Sequence, residues 1–244
     1  MNKLSYLILP LGLASFSSFA AEESPISFNI GLTTDYLVRG ISQTEHDPAL
    51  SGGVDYTADN GLYASFWMST QSWVTAKTNS NFEFDLSGGY AGQVGDIGYD
   101  LGLLYLMFDG DNIPGVATPD GAEVYATVSY KGVALTYNRT ISHYSGGWND
   151  VGTDGSRGST YIELAAERDL GSGWGLIGHV GRVSVKNHSY ASFNDWGVGV
   201  NKDLGFGVVT LAYNDTNADP SVYVTPDGES TSKAVLTLSF KKVF

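Results

Sequence analysis

The chain predicts an all-β fold, a transmembrane up-and-down antiparallel β-barrel of about 12 strands behind a cleaved signal peptide. Three observations predict it. Apolar residues recur with a period of two along almost the whole chain. The connections between the alternating segments are short and long by turns. The N-terminus carries an export signal, and nothing after it is a long enough apolar run to cross a membrane as a helix.

Residues 1–20 come first. Lys3 precedes an apolar run through Leu4, Leu7, Ile8, Leu9, Leu11, Leu13 and Phe16, and Ser18-Phe19-Ala20 places small residues where a signal peptidase reads. The run is too short for a membrane anchor and is interrupted by Pro10, so cleavage is expected after Ala20. Residues 21–244 then form one domain, the barrel. Without Lys3, 12 basic residues face 26 acidic ones, and 12 − 26 = −14, a charge that excludes nucleic acid as a partner. There are 0 cysteines, so an exported chain of this size must be held by a core or by lipid rather than by disulfides.

The strands follow in order. In residues 26–38, Ile26, Phe28, Ile30, Leu32, Tyr36 and Val38 oppose Ser27, Asn29, Gly31, Thr33 and Asp35. Leu50, Val54 and Tyr56 oppose Ser51, Gly53 and Asp55, and after Asp59-Asn60-Gly61 the face continues with Leu62, Ala64, Phe66 and Met68. The stretch NFEFDLSGGYA, residues 81–91, shows the pattern most clearly: Phe82, Phe84, Leu86 and Tyr90 face one way, and Glu83, Asp85 and Ser87 the other. A helix would scatter these sets around its circumference; a strand separates them. Ile97, Tyr99, Leu101, Leu103, Tyr105 and Met107 oppose Gly98, Asp100 and Gly102. Val124, Ala126, Val128 and Tyr130 oppose Glu123, Tyr125 and Thr127, and Lys131-Gly132 turns into Val133, Leu135 and Tyr137. Ile162, Leu164 and Ala166 oppose Tyr161, Glu163 and Glu167. Residues 174–184 hold apolar residues at both parities, so their orientation stays open. Trp196, Val198 and Val200 oppose Asp195 and Asn201, Val209, Leu211 and Tyr213 oppose Thr210 and Ala212, and residues 234–244 alternate to the end.

Short turns are expected near 59–61, 92–96, 131–132, 169–173 and 202–206, and longer loops near 40–49, 72–80, 109–120, 142–158, 185–190 and 214–230. Strict alternation of the two describes a barrel with both termini at the short-turn, periplasmic rim of a Gram-negative outer membrane. A soluble β-sandwich or lipocalin-like barrel would share the alternation. Against it stand the aromatic residues near the ends of the apolar faces (Tyr36, Tyr56, Tyr90, Tyr99, Tyr130, Tyr137, Trp196, Tyr213), which fit an interfacial girdle. The chain also closes on Leu236, Leu238, Phe240 and Phe244, a strand resembling the C-terminal signal read by the outer-membrane barrel assembly machinery, with Lys242 departing from it.

LTTDYLVRGISQTEHDPALSGGVDY, residues 32–56, followed by GLYASFWMS, residues 61–69, resembles the N-terminal signature of the TorF-like porin family. The core of the resemblance is Asp35, Tyr36, Arg39, Gly40 and Ser42, followed by Pro48-Ala49-Leu50 and Gly52-Gly53, and it continues weakly through residues 190–213. Ser65 stands where family members often carry glycine. The resemblance implies an outer-membrane barrel with a transport role and brings no substrate.

The inward parity carries the candidate pore residues: Asp35, Arg39, Asp55, Glu83, Asp85, Asp100, Glu123, Glu163, Glu167 and Asp195. Arg39, Lys233 and Lys241 are the inward bases, too few to pair the acids in a dry interior, so the lumen is expected to hold water. Such a wall concentrates cations and repels anions. The expected function is a narrow pore for passive diffusion of small polar solutes, favouring cations or zwitterions; the alternative is a closed barrel acting as a scaffold or binding through its loops, chiefly 142–158 and 214–230. Asp35 and Arg39 fit either a constriction or a ladder of inward ion pairs. A barrel phospholipase is the enzymatic rival, but His46, His143, His179 and His188 accompany no recognisable nucleophile and share no metal-ligand spacing, so no enzyme, cofactor or metal is expected. The acid-rich DGDN at 109–112 lacks the spacing of a calcium loop.

Overall fold

A computed structural model describes residues 24–73, 80–110, 120–143, 155–225 and 228–244. The expected signal peptide and the middles of four long connections, including the second half of DGDN and most of the 142–158 loop, lie outside the described residues.

Twelve strands close into one antiparallel barrel. In chain order they are β1 (Ile26–Thr33), β4 (Ala49–Thr57), β5 (Leu62–Thr70), β6 (Phe82–Val94), β7 (Ile97–Phe108), β8 (Gly121–Tyr130), β9 (Val133–Thr140), β10 (Thr160–Gly171), β11 (Trp174–Ser184), β12 (Phe193–Asp203), β13 (Val208–Thr216) and β14 (Val235–Val243). Two more short strands, β2 (Leu37–Val38) and β3 (Ile41–Ser42), pair only with each other. Each barrel strand pairs with its chain neighbour, and β1 closes the ring against β14 from Asn29↔Val243 to Thr33↔Ser239. The terminal residue completes that seam: Phe244 N–H donates to Phe28 O at 2.8 Å, and Phe28 N–H donates back at 3.2 Å. Among the described residues the barrel itself has no open strand edge, as a bilayer requires.

Turn chemistry explains the short rim. Lys131 (φ 48°) with Gly132 (φ 81°), and Ser172 (φ 54°) with Gly173 (φ 75°), place consecutive residues in the left-handed region, the backbone of the tight hairpins whose twist matches the strands.

The outer face is apolar. Phe28, Leu101, Val180, Val198 and Leu236 are each more than half exposed, a surface that only lipid can cover stably. Tyr56, Tyr90, Tyr130, Tyr137, Trp196 and Tyr213 lie on the same outer face, and the rings of Tyr90 and Tyr99 stand 6.0 Å apart. No helix among the described residues is long and apolar enough to cross a membrane, and the strands do so instead. Residues 174–184 also resolve: Leu176 and Val180 face out, Ile177 and Val183 are buried, and His179 points inward onto Asp195.

One expected strand is cut short. The alternation through Val38 suggested that residues 26–38 stay in the wall with Tyr36 outward, but β1 ends at Thr33. Thr34 makes a last pair of bonds with Leu238, and the chain then leaves the wall. Tyr36 is 8% exposed and belongs to no girdle. Its hydroxyl donates to Glu83 across the bore, and that partner outweighs the local period-two pattern.

Candidate functional site

Residues 34–48 fold into the barrel as an inner hairpin built on β2 and β3. Asp35 organises its base. One carboxylate oxygen accepts from Ser42 Oγ at 2.6 Å and Thr44 Oγ1 at 3.2 Å, and the other meets His46 Nδ1 at 2.8 Å. Tyr36 and Gln43 close a further backbone bond at 2.7 Å. At the tip, Arg39 (φ 52°) and Gly40 (φ 78°) both adopt left-handed backbone. Glycine is required at the second position, because a Cβ there would come within 3.0 Å of Asp195 Cβ.

The hairpin reaches most of the wall. Tyr36 donates to Glu83 Oε1 on β6 at 3.1 Å and packs edge-on against Trp67 of β5, ring centres 5.5 Å apart. Arg39 grips Glu123 of β8 with both terminal nitrogens, at 3.2 and 2.6 Å, and lies 4.6 Å over the Tyr161 ring of β10. Gly40 faces Asp195 of β12 and Thr216 of β13. Ile41 enters a small apolar cluster with Tyr161, Val183, Val185, Ala191, Phe193 and Ala218. The last long connection ties the hairpin from above: Ser42 N–H donates to Thr231 O at 2.9 Å, and His46 Nε2 meets Ser230 O at the same distance. Ser72 N–H donates to Gln43 O on the opposite side. The bore is therefore crossed near its long-loop end by a strap of the protein's own chain.

His46 sits between two acceptors, a carboxylate and a carbonyl. Burial favours its neutral form, but the Ser230 carbonyl and the Asp35 carboxylate outweigh that and raise its pKa above the ordinary histidine value.

The sequence-predicted acids take three kinds of position. Asp35 is in the hairpin rather than on the wall, because β1 ends two residues before it. Asp55, Glu83, Asp85, Asp100, Glu123 and Asp195 are inward and buried on the wall, and Glu163 and Glu167 are inward and less buried. The scarcity of bases is met mostly by neutral donors. Asp55 accepts from Asn29 and Ser65, and Asp100 from Tyr63 at 2.8 Å. The Tyr63 and Tyr125 hydroxyls touch each other. Glu163 accepts from Tyr161 at 3.2 Å, Glu167 from Asn201 at 3.2 Å, and Asp195 from Tyr161 and His179 at 3.1 and 3.0 Å. One oxygen of Asp85 and one of Asp195 are buried without a hydrogen-bond partner. Of the three expected inward bases, Arg39 sits among the acids. Lys233 is instead on an exposed stretch paired with Glu229, where the loop before β14 carries it out of the barrel. Lys241 keeps inward parity at the short-turn end of β14.

Sequence reading missed Tyr36, Trp67, Tyr161 and His179 as members of this site. Tyr161 was visible as an aromatic on the polar parity of its strand, an anomaly that marks a lumen contact. Tyr36 gave no such signal, since its parity matched the outer face. Among the described residues no group of His, Asp and Glu is arranged to hold a metal ion.

Residues 19–244 match the family model described as "Bacterial protein of unknown function (Gcw_chp)". The chain belongs to that family. No curated protein matches it. Among solved structures it is similar to the NanC porin, at 12% identity and a TM-score of 0.58 over 89% of this chain and 98% of that one. It is also similar to the KdgM porin in complex with disordered oligogalacturonate, at 5% identity and a TM-score of 0.52 over 89% and 95% of the two chains. At these identities the likeness concerns the fold, which is that of an outer-membrane barrel of Gram-negative bacteria, and the lipid-facing exterior agrees with it.

Proposed function

We propose that this family member is a narrow outer-membrane channel for passive diffusion of small polar solutes, favouring cations or zwitterions. The observation that carries the reading is the charge of the lumen wall, where buried carboxylates outnumber the one guanidinium that reaches them. A wall of fixed negative charge around a confined aqueous path concentrates cations and raises the electrostatic cost for anions. The similarity to the porin folds and the resemblance of residues 32–69 to the TorF-like porin family support transport. The oligogalacturonate bound by KdgM is a polyanion and does not carry over to an acidic lumen. Folding is proposed to pass through the barrel assembly machinery, read from the strand that ends at Phe244. The reading includes no enzymatic step.

A second reading rests on the inner hairpin: a strap tied to the wall on several sides suits a closed barrel whose loops serve as a scaffold or binding surface. Single-channel recording of the refolded mature protein in a planar bilayer separates the two. Stable steps whose reversal potential in a salt gradient reports cation preference support the channel. A folded, heat-modifiable protein that stays silent in the bilayer refutes it in favour of the scaffold.

A further inference from the structure

The seat of Arg39 has the chemistry of a ligand site. Glu123 presents both carboxylate oxygens to the edge of the guanidinium, at 3.2 and 2.6 Å. The guanidinium carbon stands over the Tyr161 ring, 4.6 Å from its centre. Asp195 stands beside the same tyrosine, accepts its hydroxyl at 3.1 Å, is 1% exposed, and has its second carboxylate oxygen buried without a partner. A forked acceptor on one edge, an aromatic face below and surplus negative charge alongside recognise a flat, delocalised cation better than a compact ammonium.

What fills the seat is not part of the wall. Arg39 arrives on the tip of the inner hairpin, with its own backbone in the left-handed region (φ 52°), a conformation that holds only while the surroundings reward it. Its side chain is still 23% exposed, so water reaches the seat from one side.

We infer that the box formed by Glu123, Tyr161 and Asp195 is a binding site for guanidinium-type cations, and that Arg39 is its resident internal occupant. A diffusing solute bearing a guanidinium competes with Arg39 for the box. When it wins, the hairpin loses its tie to β8 and β10 and its tip loosens, while the ties through Tyr36, Ser42 and His46 remain. The substrate class so named is a small solute with a planar cationic head. Its transport rests on the channel reading above; the binding itself does not.

The test uses the refolded mature protein in detergent, with the temperature of the heat-induced gel-mobility shift as readout and methylguanidinium chloride as probe, against sodium chloride and tetramethylammonium chloride at equal ionic strength. Arg39→Ala is expected to unfold at a lower temperature than the parent. Methylguanidinium, and neither control salt, is expected to restore more than half of that loss in a saturable way, because a ligand held only by the folded state stabilises it. Adding Glu123→Gln is expected to abolish the response. In the parent protein, methylguanidinium is expected to speed protease cleavage near the hairpin tip at residues 38–41 by loosening it. If Arg39→Ala does not fold, Arg39→Lys carries the test, with a smaller response because its ammonium still competes for the box. Equal responses to methylguanidinium and sodium, or a response that survives Glu123→Gln, would overturn the proposal and leave a diffuse acid wall. A barrel silent in bilayers would sink the channel reading without touching this one.

Discussion

Arginine scanning along the outer face of β7 tests the lipid-facing assignment with a number. Ile97 and Leu103 are exposed to nearly the same degree, 49% and 45%, so exposure alone predicts equal cost for replacing them. Depth separates them. Leu103 lies 6 residues along the strand from Ile97. At about 3.3 Å per residue and a tilt of roughly 40°, that distance projects to about 15 Å along the barrel axis, close to the middle of an apolar band about 25 Å tall. Leu103→Arg is therefore expected to cost about 2–4 kcal/mol and Ile97→Arg about 0–1 kcal/mol, as lipid-facing arginines do at the midplane and near the interface. The first value corresponds to a loss of about 30- to 700-fold in the folding equilibrium. The assay is reversible folding into phospholipid vesicles, titrated with denaturant and followed by tryptophan fluorescence. Equal costs at the two sites, or a larger cost at Ile97, would refute the reasoning that places β7 across a bilayer with its odd-numbered residues in lipid.

Four further outcomes are expected. Replacing Glu83 and Asp85 together by Gln and Asn should move the reversal potential in a salt gradient toward zero, with single-channel steps retained; unchanged selectivity would show that the wall charge does not set the field. Replacing residues 35–47 by a short Gly-Ser linker should raise conductance severalfold, and no change would show that the strap does not limit the bore. His46 has a raised pKa, so its contribution to holding the hairpin is fully present below the unfolded value of about 6.5 and is lost as pH rises through the higher folded value. Protease cleavage within residues 34–48 should accordingly increase from pH 6 toward pH 8 in the parent and be pH-independent over that range in His46→Gln. Deleting Phe244 removes both backbone bonds to Phe28 at the closing seam, and should lower the yield of heat-modifiable barrel when assembly is followed by gel mobility.

The inner hairpin explains why part of this protein was illegible in its sequence. Local alternation reports which face of a strand a residue occupies, and it did so for Glu83, Asp85, Asp100, Glu123 and Asp195, because a one-residue error of parity would bury charge in lipid. It could not report that residues 34–48 leave the wall, since Leu32, Tyr36 and Val38 satisfy the period whether or not the strand continues. Residues 174–184 show the complementary limit. Inward Ile177 and Val183 are both buried, Val183 in an apolar cluster with Val185 and Phe193, so both parities look alike until the neighbours are known.

From the sequence by itself came the strand count, the order of short turns and long loops, the lipid-facing side and the acidic character of the lumen, all consequences of periodicity and turn chemistry within a few residues. Only the tertiary structure decided what those acids face. Tyr36 and Glu83 are 47 residues apart and Arg39 and Glu123 are 84 apart, so the strap and the seat of its arginine exist only once the ring has closed and brought β6, β8, β10 and β12 around one bore.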